Sequence, residues 1–252
     1  MDSQVASDVA IATPEPSMSV WARSVAIFTR PTQAWVGLKG HVQWWFPVLV
    51  MLLFAMGSAA LLHQRAIVPM MQESWDRQVA SGAMQPEQVD RMEKFFSGPT
   101  GLAISVVQQA IVIPIITVVV GLLVWFGVGF VLGTGMKYRL ALEVAAWASL
   151  ISLPNYILTT VLAWMKQTMR GVHTGFGILL PEMDPPSKFS VALGAVLDGI
   201  GPLAIWYLIV AIIGAAYLSG APKKTTAWTL TVLYLVLVVF GAALAAMFTP
   251  AA

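Results

Sequence analysis

Five long apolar runs dominate the hydropathy pattern of the chain, and polar stretches separate them. The runs are continuous rather than alternating, which is typical of membrane-spanning helices and not of membrane-spanning strands. Such a helix needs about 20 apolar residues and satisfies its own backbone hydrogen bonds in lipid. The pattern therefore predicts an all-α integral membrane protein with five transmembrane helices, within residues 44–62, 102–132, 140–164, 191–218 and 228–248.

Two of the runs carry residues that predict irregular helices. The second run is longer than one bilayer crossing, and Gln108 indicates where it enters the headgroup region. Pro114 lacks a backbone N–H and predicts a bend in the same helix. The third run is interrupted by Ser152, Pro154 and Asn155. A kink is one interpretation of this interruption, and the lining of a substrate path is the other.

Residues 20–43, which precede the first run, have an amphipathic pattern. Trp21, Val25 and Phe28 recur at helical spacing, and Arg23 lies off that stripe. A second short apolar face follows, formed by Ala34, Trp35 and Leu38. This pattern predicts one or two amphipathic helices that lie on the membrane surface. Packing of the same segment against the transmembrane helices is the alternative.

The largest polar insert, residues 63–99, mixes acidic and basic side chains. Residues 70–79 and 86–96 both have helical patterns, and Gly82 lies between them. Pro86 is favourable in the first turn of a helix. The insert is therefore predicted to be a helical hairpin that extends beyond the bilayer.

Composition supports a membrane protein and narrows its chemistry. The chain is 58% hydrophobic and 10% charged, whereas a soluble domain carries about 25% charged residues. Its net charge of +2 and its scattered basic residues argue against nucleic-acid binding. It has no cysteine, which excludes disulfides and thiolate metal sites. Residues 1–19 are rich in Ser, Pro and Asp and are predicted to form a disordered tail.

The distribution of Lys and Arg predicts an orientation in the membrane. Basic residues lie before the first run, between the second and third runs, and between the fourth and fifth runs, where Lys223 and Lys224 are adjacent. Basic residues in short loops favour the cytoplasmic side. We therefore expect a cytoplasmic N-terminus, with the hairpin and the C-terminus outside.

Two acidic residues lie in or beside the apolar runs, where a charge is costly and indicates function. Asp198 lies inside the fourth run. It is interpreted either as a cation or proton site, or as a group that caps a helix start before Pro202 or binds neighbouring backbone. Glu143 lies at the edge of the third run, and its spacing from Arg139 predicts an ion pair on one helix face. That pair would anchor the helix at the membrane edge.

Other patterns that resemble sites have a structural interpretation. Gly129 and Gly133 are four residues apart inside an apolar helix, which is a small-residue spacing that lets helices pack closely. The histidines, His41, His63 and His173, are far apart in sequence, and no metal-binding or nucleophile motif accompanies them. We therefore predict no catalytic residues, no metal site and no cofactor.

The order of these features resembles that of a known family of membrane proteins. The segment that enters the membrane reads FTRPTQAW. The short basic loop and third run read GMKYRLALEVAAWASLISLPNYIL, and the fourth run with its basic turn reads DGIGPLAIWYLIVAIIGAAYLSGAPKK. These stretches resemble the Yip family, whose members are named for interacting with Ypt/Rab GTPases. The resemblance covers residues 27–248.

The resemblance implies a five-span helical fold with a cytoplasmic N-terminus. For a eukaryotic member, the resemblance implies a role in vesicle traffic at Golgi or ER membranes. For a bacterial member, it implies an association with export machinery such as ATP-driven transporters. The short N-terminal tail, the compact loops and the absence of cysteine favour a bacterial member in the inner membrane.

The leading hypothesis is a non-enzymatic accessory or scaffold subunit of a membrane complex, for which an ATP-driven export system is one candidate. The expected partners are the lipid bilayer and a protein in the same membrane, such as a transporter subunit. One alternative is a transporter or channel with a polar path near Asp198 and Asn155. Another is a membrane-shaping or trafficking factor that acts through its N-terminal amphipathic segment.

Overall fold

The computed structural model describes residues 18–181, 187–247 and 249, and all regular structure within them is helical. Most of the predicted tail, residues 1–19, lies outside the described residues, and so does Phe248 at the end of the fifth run. The α-helices are α1 (Val20–Thr29), α2 (Trp45–Leu62), α3 (Val68–Ala80), α4 (Pro86–Phe96), α5 (Pro99–Val124), α6 (Tyr138–Ser149), α7 (Leu153–Lys166), α8 (Lys188–Gly199), α9 (Pro202–Ser219) and α10 (Lys223–Met247).

Five continuous helical segments are long and apolar enough to cross a membrane, which confirms the predicted fold class. Each satisfies its interior backbone hydrogen bonds within the segment, as lipid requires. Their bounds are Trp45–Ala80, Pro99–Val131, Tyr138–Lys166, Pro202–Ser219 and Lys223–Met247.

The first span continues without interruption into the polar hairpin. α2 widens into a π-helical turn at His63–Ile67 and goes on as α3. α4 begins at Pro86, as the sequence predicts, and returns toward the start of α5. Both helices of the predicted hairpin are therefore present, although the first is part of the spanning rod.

A buried histidine fastens the base of this hairpin. The two ring nitrogens of His63 lie 3.0 Å from the Ser105 hydroxyl and 2.9 Å from the Phe96 carbonyl oxygen. The Phe96 ring also packs against Trp75, with 5.8 Å between the ring centroids. These contacts join the end of α2 to α3, α4 and α5, so the hairpin belongs to the folded bundle.

The second span is one continuous helix with an irregular end. Pro114 lies inside α5 without ending it, and the nearby Thr117 hydroxyl donates a hydrogen bond to the Ile113 carbonyl at 2.9 Å. Beyond α5 the helix widens into π-helical turns over Trp125–Val131. Gly133 follows with a φ of +64°, a left-handed conformation that glycine adopts without strain.

The third span is broken near the predicted position. α6 ends at Ser149, a 3-10 turn covers Leu150–Ser152, and α7 begins at Leu153. Pro154 therefore occupies the first turn of α7, where its missing N–H leaves no helical hydrogen bond unmade. This position supports the interpretation of the interruption as a kink.

The prediction of one fourth span over residues 191–218 is wrong, because two helices occupy this run. α8 ends at Gly199 and α9 begins at Pro202. Pro202 has no N–H with which to extend α8, and Gly201 before it is extended. α9 alone is long enough to cross the membrane. α8 packs against α10, where the Tyr234 hydroxyl donates to the Gly199 carbonyl at 2.7 Å.

The bundle is built around α6, which is buried along most of its length. α2, α5 and α9 pack against α6, and α10 lies at the edge of the bundle against α8 and α9. Residues 18–43, which we call the N-terminal segment, lie against α6 and the 3-10 turn that follows it. The outer side of α10 exposes Val232, Val236, Val239 and Phe240. This side is suited to lipid.

Trp35 fills the contact between the N-terminal segment and α9. Its ring is fully buried, and a β-carbon added to Gly214 would lie 2.5 Å from it. Glycine is therefore the residue that leaves room for the ring. Ala34 and Leu38 are also fully buried. The second predicted apolar face thus packs against the transmembrane helices rather than on the membrane surface.

Gly214→Ala is expected to destabilise the bundle, because the new methyl group overlaps the Trp35 ring. Overpacking of this kind costs about 1–3 kcal/mol. Thermal unfolding of the purified protein in detergent should show a lower midpoint for this variant. Gly241→Ala in α10 is the matched control, since open space surrounds that position and alanine favours a helix. Equal midpoints for the two variants would contradict the close packing described for Trp35.

Candidate functional site

Arg23 is a fully buried cation, with 0% of its surface exposed. Its Nη1 donates to the Ala34 carbonyl, its Nη2 to the Val36 carbonyl at 3.1 Å, and its Nε to the Gln43 side-chain oxygen at 2.9 Å. The guanidinium also lies over the Trp147 ring, 5.6 Å from the centroid. Arg23 therefore folds the N-terminal segment around itself and holds it against α6.

Glu143 of α6 is the buried anion beside this cation. Its carboxylate accepts hydrogen bonds from the Gln43 N–H at 2.8 Å and from Trp147 Nε1 at 3.2 Å. Burial lowers the pKa of Arg23, and the nearby charge of Glu143 opposes that shift. The predicted ion pair with Arg139 is present, at 3.8 Å. Glu143 nonetheless lies inside the protein, not at an exposed edge.

Arg139 completes the network from the start of α6. Its guanidinium donates to the carbonyl oxygens of Lys39 at 2.7 Å and His41 at 2.8 Å. Each buried charge thus has hydrogen-bond partners, which is the condition for tolerating charge away from water. The arrangement fixes the N-terminal segment on the helices. We refer to it as the Arg23 cluster, which consists of Arg23, Gln43, Arg139, Glu143 and Trp147.

Asp198 forms a second polar site, in the last turn of α8. Its Oδ2 lies 2.6 Å from His173 Nδ1, and its Oδ1 accepts the N–H groups of Gly175 at 3.1 Å and Gly177 at 3.3 Å. The residue lies outside the spanning part of the fourth run. Its carboxylate binds backbone N–H groups more than 20 residues earlier in the chain, and it does not cap the start of α9. Asp198 therefore fixes residues 173–177, which follow α7.

The other polar candidates do not gather around Asp198. Gln108 is exposed on α5, Pro114 is half-buried in the same helix, and Pro154 and Asn155 lie in the first turn of α7. Asp198 and these four residues do not line any of the three main cavities in the described part of the chain. These cavities therefore do not bring the five residues together.

The prediction that Gly129 and Gly133 pack helices together finds no support within the chain. Gly133 ends the π-helical turns and has no atom near the position of a β-carbon, while the neighbours of Gly129 lie in its own turn and loop. Other glycines make the close approaches between helices: Gly121 faces α6, whereas Gly127 and Gly199 face α10. The four-residue spacing of two glycines can be read from the sequence. It does not reveal whether that side of the helix faces another helix, and helix packing depends on this.

Sequence reasoning missed the roles of Arg23, Gln43 and His173. One signal for Arg23 was available, because Ala26 and Ile27 follow it at helical spacing and are buried with it. Gln43 and His173 offered no such signal, since their partners are distant in sequence. Within the described residues, no three His, Asp or Glu side chains lie close enough together to hold a metal ion.

Removing the charges of Arg23 and Glu143 together is expected to cost less than the sum of the two single losses. Arg23→Met removes a positive charge near the buried Glu143, and an uncompensated buried charge costs up to about 3–5 kcal/mol. Glu143→Gln leaves the Arg23 charge behind in the same way. The double variant should therefore be more stable than the sum of the single effects predicts. Thermal unfolding and the rate of trypsin cleavage after Lys39 would measure this.

Arg30→Met is the control for these variants, since Arg30 lies on the same segment and is exposed. It should unfold and resist cleavage like the wild type. Strictly additive effects in the double variant, or single variants that match Arg30→Met, would contradict the coupling of Arg23 to Glu143.

Asp198→Ala is expected to free the loop between α7 and α8 without unfolding the bundle. Amide hydrogen exchange at Gly175 and Gly177 should accelerate, because both N–H groups lose their acceptor. Hydrogen-exchange mass spectrometry of peptides from residues 171–181 would measure the change. Asp90→Ala, at an exposed position of α4, should leave these peptides unaffected. Unchanged exchange in the Asp198 variant would contradict the assigned role.

Comparison with known proteins assigns the chain to a family. No curated protein and no solved structure matches it. The sequence model of the Yip1 domain matches residues 25–245. The matched region begins in α1 and ends in α10. The match includes Asp198 and all of the Arg23 cluster except Arg23 itself. The family resemblance of the sequence is thereby confirmed, and the chain belongs to the Yip1 domain family of membrane proteins.

Proposed function

We propose that the protein is a non-enzymatic scaffold, an accessory subunit that holds other proteins of a membrane complex through surface contacts. The observation that carries this proposal is the exposed apolar stripe of α1. Its residues Trp21, Val25 and Phe28 are 71%, 62% and 38% exposed, whereas Arg23 on the same helix is fully buried. The stripe is therefore presented in a fixed position, which reduces the entropy lost when a partner binds.

The exposed surface continues from α1 onto the start of the first span. Val42 and Trp45 are about half exposed, and the Trp21 ring packs edge-on against Phe46 with 5.1 Å between centroids. The stripe thus adjoins a transmembrane helix. A protein in the same membrane could contact both at once, and large exposed apolar patches of this kind mark interaction sites.

The use of the polar groups also favours a scaffold over a transporter. Glu143 and Asp198 are occupied by contacts that fix the N-terminal segment and a loop. Gln108, Pro154 and Asn155 do not share a cavity with Asp198. Within the described residues, this arrangement favours the scaffold over a transport path near Asp198 and Asn155.

The proposal includes a location. Short basic stretches at Lys137 and at Lys223 support a cytoplasmic N-terminal segment, with the hairpin and the end of α10 outside. The compact loops support a bacterial inner membrane. An ATP-driven exporter in that membrane is one candidate complex.

Co-purification from native membranes tests the scaffold. Tagged full-length protein, crosslinked in the membrane and purified in mild detergent, is expected to bring specific membrane proteins with it. Alanine substitutions that truncate the α1 stripe should remove those proteins, because the docking surface is lost while the Arg23 cluster remains. The test variant is Trp21→Ala with Val25→Ala and Phe28→Ala, and the control carries Val232→Ala, Val236→Ala and Val239→Ala on α10.

The control variant should retain the same co-purifying proteins, since its three substitutions lie on a different exposed apolar surface. A wild-type protein that always purifies alone, with no crosslinked neighbour, would rule out the scaffold. Equal retention by the test variant would show that the α1 stripe is not the docking surface.

Membrane shaping is the second candidate, and the same stripe favours it. Tryptophan and phenylalanine on one side of a short helix suit insertion at the interface between headgroups and acyl chains. Electron microscopy of vesicles that contain purified protein separates the two functions. If the protein shapes membranes, the wild type should alter the form of the vesicles without any partner, and the α1 test variant should not. If it is a scaffold, neither the wild type nor the variant should alter vesicle form.

A further inference from the structure

A half-open cavity of about 260 Å³ lies between α2, α5, α6, α7, α9 and α10. Thr117 and Tyr234 lie near the middle of their spanning helices and both line it, so the cavity reaches the middle of these two spans. No charged residue is among those that line it. Six lining residues carry hydroxyl groups, namely Thr117, Ser149, Ser152, Tyr156, Tyr207 and Tyr234.

Half of these hydroxyls have no hydrogen-bond partner among the residues that the structure describes. Those of Thr117, Ser149 and Tyr234 donate to backbone carbonyls. Hydroxyls without partners are unfavourable in apolar surroundings, so three further groups remain able to bind an oxygen-bearing molecule. In the part of the chain that the structure describes, these three have no hydrogen bond through the side chain: Ser152, Tyr156 and Tyr207.

A groove on the outside of the bundle adjoins the cavity. The groove has a volume of about 390 Å³ and lies between α2 and α7. Tyr156 lines both the groove and the cavity, so this residue separates the two spaces. Most of the groove is apolar and exposed where lipid would surround the helices, at Leu53, Leu61, Ile157 and Val161.

A small apolar slot adjoins the cavity on its other side. It measures about 70 Å³, lies between α5, α9 and α10, and shares Val120, Tyr207 and Tyr234 with the cavity. Groove, cavity and slot therefore follow one another through the bundle. A molecule that occupied them would have hydrocarbon at its ends and polar atoms between.

These observations select the chemistry of the ligand. A charged headgroup would find no opposite charge among the lining residues of the groove or the cavity, and it is costly at the middle of a bilayer. An uncharged lipid meets no such cost at this depth. We propose that the cavity binds an uncharged lipid, whose carbonyl or hydroxyl oxygen contacts Ser152, Tyr156 and Tyr207 while its chain lies in the groove.

Photolabelling of the full-length protein in phosphatidylcholine vesicles tests this site. The probe is a photoactivatable diacylglycerol, and mass spectrometry locates the labelled peptides. Labelling of α2 and α7 is expected to saturate and to be displaced by unlabelled ligand. Displacement by diacylglycerol identifies an ester lipid, and displacement by an isoprenoid quinone identifies a quinone. A photoactivatable phosphatidylcholine should give only unsaturable labelling.

Tyr156→Phe combined with Tyr207→Phe removes two hydroxyls and keeps both rings. The half-saturating probe concentration should rise about tenfold, as expected for the loss of two neutral hydrogen bonds. Tyr217→Phe is the control, because Tyr217 is exposed on α9 and lines none of the three spaces. Its labelling should equal that of the wild type.

Ala204→Leu provides a second variant that fills the cavity without removing a hydroxyl. It should abolish saturable labelling while thermal unfolding still shows a cooperative transition. The proposal is overturned if the diacylglycerol and phosphatidylcholine probes label alike. It is also overturned if a folded Ala204→Leu protein saturates as the wild type does. Neither outcome bears on the scaffold, whose test depends on the α1 stripe.

Discussion

A guanidinium without access to water determines how the first part of the chain folds. Arg23 requires acceptors, and two backbone carbonyls and an amide oxygen supply them. The negative charge of the nearby Glu143 also favours the cation. The position of α1, the burial of Trp35 against Gly214 and the direction of the exposed stripe all depend on this cluster. The proposed docking surface therefore rests on a buried charge on the same helix.

The elements that could be predicted are those with local causes. The length of an apolar run predicts a span, and the proline at position 154 predicts the break in the third one. The division of the fourth run at Gly199 to Pro202 also had local signals, but continuous apolarity on both sides concealed them. The local ion pair of Arg139 and Glu143 could be predicted from its spacing. Long-range polar partners could not, since the Gln43–Glu143 contact joins residues 100 positions apart.

The two proposals use different properties of an apolar chain. Hydropathy measures how apolar a segment is, but it does not say whether a hydroxyl faces lipid, a backbone carbonyl or an internal space. Tyr156 and Tyr207 lie in spans that the sequence predicts only as hydrophobic, and only the structure places both on one cavity. The stripe of α1 is the opposite case, because its pattern is visible in the sequence and only its fixed position comes from the structure.

The continuous helix from α2 into α3 has a mechanical consequence. Its 36 residues form a rod that is about 54 Å long at 1.5 Å per residue. One end begins beside Gln43 of the Arg23 cluster, and the other carries the hairpin with its exposed charges. A tilt imposed on the hairpin would therefore displace the start of α2, at the other end of the rod, in the opposite direction. The π-helical turn at His63–Ile67 interrupts the regular α-helix between them, and it is where the rod would bend.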